Sequence, residues 1–140
     1  MVLSARILDN VASVNQFTYE ESAKFTEGDQ VYVYFQLTDK SVDRAEQGFV
    51  PAGRRYMPAS GSTLVVTLQN IDSSKTLTKN ATQLYSTSDP SIWRITISSS
   101  DEIVGIADAL LVLTEPTRTL RGRVSRALSV EPQSGSMCPI

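Results

Sequence analysis

From residue 30 to residue 38 the chain alternates: Val31, Val33, Phe35 and Leu37 share one parity, and Tyr32, Tyr34, Gln36 and Thr38 the other. Successive side chains of an extended chain point to opposite faces, so this stretch reads as a strand with one buried face. The same period returns over residues 63–69, with Leu64, Val66 and Leu68 inward. It returns again over residues 91–98, with Trp93, Ile95 and Ile97 set against Ile92, Arg94, Thr96 and Ser98. Residues 107–114 are apolar on both parities, which suits a central strand. Residues 118–130 place Leu120, Val124, Leu128 and Val130 on one parity. Glu115-Pro116-Thr117 supplies the turn that joins these last two into a hairpin. Shorter strands are expected over residues 5–8, 14–18, 22–25 and 76–78. Turn residues cluster at 27–29, 39–41, 58–61, 71–74 and 88–90. The one helical competitor is a single turn over residues 101–108, capped by Ser99 or Ser100 and kept short by Gly105 and the β-branched Ile103, Val104 and Ile106. About seven to nine short strands with this rhythm predict an all-β fold, an antiparallel immunoglobulin-like β-sandwich. It spans residues 1–131 as one domain, and residues 132–140 follow as a flexible tail of Pro, Gly and Ser without charge.

Composition narrows the chemistry. The 140 residues contain 13 basic and 15 acidic side chains, no histidine and one cysteine. Without histidine there is no Ser-His-Asp catalysis and no imidazole-ligated zinc, and one cysteine makes neither a disulfide framework nor a thiolate metal site. Cys138 reads as an idle thiol or as one half of an intermolecular disulfide. Glu20-Glu21 and Asp101-Glu102 are sequence neighbours, which on a strand point to opposite faces and cannot flank one substrate bond; they read as solvated turn charges. The 59–63 segment, Ala-Ser-Gly-Ser-Thr, lacks the lysine and the following helix of a phosphate cradle and is a turn. Asp72-Ser73-Ser74-Lys75 puts a lysine where a calcium loop needs an oxygen ligand. The expectation is a protein that is not an enzyme and uses neither cofactor nor metal. The first 14 residues carry Arg6 and Asp9 and lack a signal-peptide core. No run of about 18 apolar residues exists to span a membrane, so the chain reads as a soluble protein. Without a secretory signal, the glycosylation-like Asn80-Ala81-Thr82 reads as a chance match.

Four features are candidates for contact with partners. Residues 41–56 form a long connection that includes Arg54 and Arg55, and long loops in small domains are functional or disordered. The uncharged tail either frays or orders on a partner. Arg118, Arg121, Arg123 and Arg126 leave residues 118–140 at plus three while the rest of the chain is at minus five. Parity places Arg121 and Arg123 on the solvent face. There they form a solvated or salt-bridged strand face, a docking surface for an acidic partner or, least in keeping with the overall charge, a nucleic-acid contact. Tyr32 and Tyr34 lie on the non-core face of the first strand, either covered by the long loop or available to a protein or glycan. Tyr56 and Tyr85 are further candidates for a glycan groove, whereas Trp93 belongs to the core by parity.

Several segments carry a resemblance. Phe25-Thr26-Glu27-Gly28-Asp29 opens the strand from Val31 to Leu37, and Arg55-Tyr56-Met57-Pro58 leads through Gly61 into Leu64-Val65-Val66-Thr67-Leu68. Then come Asp89-Pro90-Ser91-Ile92-Trp93-Arg94-Ile95-Thr96-Ile97 and Leu111-Val112-Leu113-Thr114-Glu115 before Arg118 and Gly122. Across residues 22–131 this pattern resembles small β-sandwich virion proteins of tailed bacteriophages. The resemblance implies a structural subunit of a tail, baseplate or head accessory, made in the host cytoplasm and packed in multiple symmetric copies against other virion proteins. It transfers no site residue, because the family has no site motif. The alternative expectation is a carbohydrate- or host-receptor-binding module.

Overall fold

The computed structural model describes residues 1–8, 19–20, 22–41, 54–85 and 88–132, with only the backbone of Tyr19, Glu20 and Arg54. Strands form where the alternation demanded them, and also at 19–20, 54–55 and 82–85, which it did not single out: β1 (Leu3–Leu8), β2 (Tyr19–Glu20), β3 (Ala23–Thr26), β4 (Val31–Asp39), β5 (Arg54–Arg55, within the expected long connection) and β6 (Thr63–Asn70). They continue with β7 (Thr76–Asn80), β8 (Thr82–Tyr85), β9 (Asp89–Ile97), β10 (Gly105–Thr114) and β11 (Thr119–Glu131). The described residues contain no helix. The all-β expectation therefore holds. The expected strand at 14–18, most of the 41–56 connection, the tail beyond residue 132 and Cys138 lie outside the described residues.

All the strands belong to one sheet, ordered β7-β6-β10-β11-β1-β4-β9-β8, with β2 added on β1, β3 on β11 and β5 on β4. Pairing is antiparallel except for β1 with β11 and β3 with β11. The ends of this order, β7 and β8, are separated in the chain by Ala81 alone, whose N–H donates to the Leu64 carbonyl at 2.9 Å. A chain that passes from one sheet edge to the other through a single residue must bring those edges together. The sheet is thereby curled nearly into a barrel, with few exposed edge groups at that seam. Midway along the order, β1 meets β11 through the single pair Leu3–Gly122. A Cβ built at Gly122 would lie 2.1 Å from the Leu3 carbonyl oxygen, so the approach of the two strands requires a residue without a side chain.

The enclosed core takes the parities read from sequence. Val33, Phe35 and Leu37 of β4, Leu64, Val66 and Leu68 of β6, and Trp93, Ile95 and Ile97 of β9 are all buried in one cluster with Leu111 and Leu113 of β10. β10 is central, lying between β6 and β11. The turns follow their chemistry as well. Asp29 N–H donates to Thr26 O at 3.1 Å, and Gly28 has φ +93°, the left-handed value that the third position of this turn requires. Glu115 and Arg118 exchange backbone hydrogen bonds around Pro116-Thr117, closing the β10–β11 hairpin.

Three expectations are corrected. The short strand over 5–8 is the six-residue β1, paired with β4 along its whole length and buried at every residue. No helical turn forms over 101–108: Gly105 pairs with Val130 and starts β10, while Asp101 closes a turn by accepting from Ser98 N–H at 2.8 Å. β11 does not alternate continuously. Between the pairs Ala107–Leu128 and Ala109–Val124 it holds two extra residues, a bulge in which Arg126 takes φ +54°.

Candidate functional site

Charge in this protein is placed first for structure. Four carboxylates sit deep in the surface, each facing a cation of the same chain. Asp89 accepts from Ser91 N–H at 3.2 Å, Ser91 Oγ at 2.5 Å and Arg55 Nη1 at 3.0 Å. Glu115 accepts from the Tyr56 hydroxyl at 2.6 Å, Ala59 N–H at 3.1 Å and Arg118 Nε at 2.8 Å, and Arg118 also donates to the Tyr56 oxygen at 3.0 Å. Asp108 faces the β11 bulge, where it accepts from Arg126 N–H at 2.8 Å and pairs with the Arg123 guanidinium. Asp101 pairs with Lys79 at 2.7 Å and accepts from Ser98 N–H and Oγ. Asp101 is thus a half-buried, ion-paired tie between a turn and β7, not the solvated charge expected from sequence; Glu102, beside it, is the exposed member, reaching Lys75 at 3.3 Å.

The surroundings of Glu115, Asp101 and Asp108 lower their pKa values. Burial works against the charge on Glu115, but the Tyr56, Arg118 and Ala59 donors outweigh it and hold the carboxyl below its usual range. Asp101 shows the same balance: burial is outweighed by Lys79 and the Ser98 donors. For Asp108 the Arg126 N–H is the leading cause and the Arg123 guanidinium the next, and both lower it. A carboxylate stabilised in its charged form by several donors is a weak proton acceptor, so these groups act as anchors for loops.

The sequence-nominated contact residues fall into three places. Tyr32 is half exposed, with Tyr34 beside it at a ring-centroid separation of 6.5 Å and the Arg94 guanidinium 4.5 Å above the Tyr32 ring. Register explains the group, since Tyr34 lies opposite Arg94 and Tyr32 opposite Thr96 on one face of β4 and β9. Arg54 and Arg55 pair by backbone with Asp39 and Thr38 at the far end of β4, and the Arg55 side chain is committed to Asp89. Asp39 is also paired with Leu3, and Leu3 with Gly122, so one backbone row runs from Arg54 across β4 and β1 to β11 between Arg121 and Arg123. Of those two, Arg123 is committed to Asp108, while Arg121 is exposed and makes no ion pair among the described residues. Tyr56 is partly exposed, with its hydroxyl bound between Glu115 and Arg118. Tyr85 is half-buried at the end of β8.

Sequence reading missed Arg94 as the partner of Tyr32 and missed the composition of a second outward face. Arg121 lies opposite Val112, Val112 opposite Val65, and Val65 opposite Asn80; the next row is Arg123, Leu110, Thr67 and Thr78. Directly opposed residues share a face, so β6, β7, β10 and β11 present a partly exposed apolar centre of Val65, Leu110 and Val112. Arginines border it on one side and the Thr67–Thr78 hydroxyl pair, 3.2 Å apart, on the other. The alternation was visible in sequence, but strand order and register decide which residues become neighbours. Compared with models of known protein families and with curated proteins, the chain matches none.

Proposed function

We propose that the protein is a non-enzymatic structural subunit of a tailed-bacteriophage virion, placed in the tail, baseplate or head accessory, and that it acts through contacts with neighbouring virion proteins. The observation that carries this reading is the division of labour among its polar groups: the buried carboxylates are spent on holding turns, while Tyr32, Arg94 and Arg121 stand outward on rigid strands. Side chains of these types, on strands that cannot shift without breaking the sheet, suit surface recognition. The fold is read as an immunoglobulin-like sandwich whose two layers are joined at the single Leu3–Gly122 pair and at Ala81. The protein is made in the host cytoplasm and ends in the virion, in several symmetric copies. The test is immunogold labelling of density-purified tailed particles with an antibody against the purified chain. Label confined to one position on the particle supports the reading, and particles free of the protein refute it.

A carbohydrate- or receptor-binding module is the second reading, favoured by the half-exposed Tyr32 ring beside Tyr34. Saturable, Tyr32-dependent binding to a glycan array, with no label on particles, selects it.

A further inference from the structure

Two surfaces of opposite charge lie at separate places on β11. Near its start, Arg121 borders the apolar centre of Val65, Leu110 and Val112. Arg118 and Arg123 face Glu115 and Asp108 and Arg94 covers Tyr32, which leaves Arg121 as a cation on this face without a carboxylate partner among the described residues. At the far end, Glu131 is joined to the β3–β4 turn by a hydrogen bond from Glu27 N–H to its carbonyl at 2.8 Å. Glu27, half-buried, and Asp29, exposed, flank Gly28 in that turn, and one lysine, Lys24 of β3, lines the same hollow as Glu131. None of Glu27, Asp29 and Glu131 is ion-paired among the described residues. Ten residues of strand separate Arg121 from Glu131, about 30 Å at the usual rise.

We propose that copies of this chain associate head to tail, the acidic end of one (Glu27, Asp29 and Glu131) seating against the Arg121 face of the next. Charge selects this occupant and this geometry. End-to-face contact sets carboxylates that make no ion pair among the described residues against an arginine that likewise makes none, over an apolar floor. The contact is heterologous, since the two surfaces that meet are different, so it propagates into a ring or a filament according to the rotation per copy. The proposal deepens the virion reading, on which its setting rests, but the contact itself is a property of the purified chain.

The experiment is sedimentation velocity of the purified full chain over a concentration series at low and at high salt. The wild type is expected to gain mass with concentration at low salt and to return toward monomer as salt screens the contact. Arg121→Glu, and separately Asp29→Lys with Glu131→Lys, should each weaken association by about tenfold or more. The chain that carries all three reversals should regain it. Arg121→Ala, with circular dichroism as a check of folding, covers the case in which a reversal disturbs the sheet. A wild type that stays monomeric at low salt overturns the proposal, as does Arg121→Glu associating like the parent or a triple reversal that fails to recover. Particles that lack the protein would sink the virion reading and leave this association standing; a monomer at every concentration sinks the association alone.

Discussion

Replacing Glu115 with Gln changes one oxygen to an amide at a position buried between the β10–β11 turn and the segment after β5. Both carboxylate oxygens are in use, one by Arg118 Nε and the other by the Tyr56 hydroxyl and Ala59 N–H. The Gln amide must turn its NH2 toward one set of donors. Turning it toward Arg118 costs least, because that side chain is half exposed and can be rehydrated. The variant then loses one charge-assisted hydrogen bond and keeps two that have become neutral, a loss of about 2 to 3 kcal/mol. For a domain of this size that is a Tm lower by roughly 10 °C. The pH dependence is the sharper reading. Glu115 has a folded-state pKa below its ordinary value of 4.5, so its contribution is present above that value and disappears as pH falls through the folded one. Urea denaturation of parent and variant should therefore show the full difference at neutral pH and a shrinking difference below about pH 4, because the parent becomes protonated at the same site. Equal stabilities at neutral pH, or a difference that persists unchanged in acid, would refute the assignment of Glu115 as an ionised anchor.

Gly122→Ala should be among the most damaging single changes, about 3 kcal/mol or more in urea titration, because the new methyl group meets the backbone oxygen of Leu3 at 2.1 Å and no side chain can move aside. Trp93→Ala should cost about 3 to 5 kcal/mol, since the indole is 2% exposed within the core cluster; a variant that melts like the parent would place the ring elsewhere. Tyr32→Ala should lower stability by no more than about 1 kcal/mol, the value of its contact with Arg94, while reducing occupancy in purified particles; full occupancy would remove this face from the virion contacts. Asp108→Asn should destabilise by about 1 to 3 kcal/mol at neutral pH, through the lost charge opposite Arg123 and the weakened bond from Arg126 N–H, with the penalty fading in acid as for Glu115.

Alternation by itself determined which side chains face inward. Leu64, Val66 and Leu68, and likewise Trp93, Ile95 and Ile97, are buried where parity put them, because a strand of period two in contact with one core has no other arrangement that hides them. The turns around Gly28, Gly61 and Pro116 were equally local, set by residues whose backbone preferences need no distant partner. The candidate contact residues were legible as types, but their fates were not. Arg121 and Arg123 are two residues apart on one face, yet among the described residues only Arg123 is ion-paired, because the β10–β11 hairpin brings Asp108, 15 positions earlier in the chain, within reach of its guanidinium. Tyr56 and Glu115 are 59 positions apart and meet only when β10 and the segment after β5 are both in place. Residues 103–106 have the β-branched composition that shortens a helix, and pairing of Gly105 with Val130 makes Gly105 and Ile106 the start of β10 instead. The order of strands was likewise a tertiary decision. Each strand satisfies its own pattern beside many partners, and only long-range contacts choose among them: the passage through Ala81 brings β7 and β8 together, and the close approach at Gly122 admits β1 beside β11.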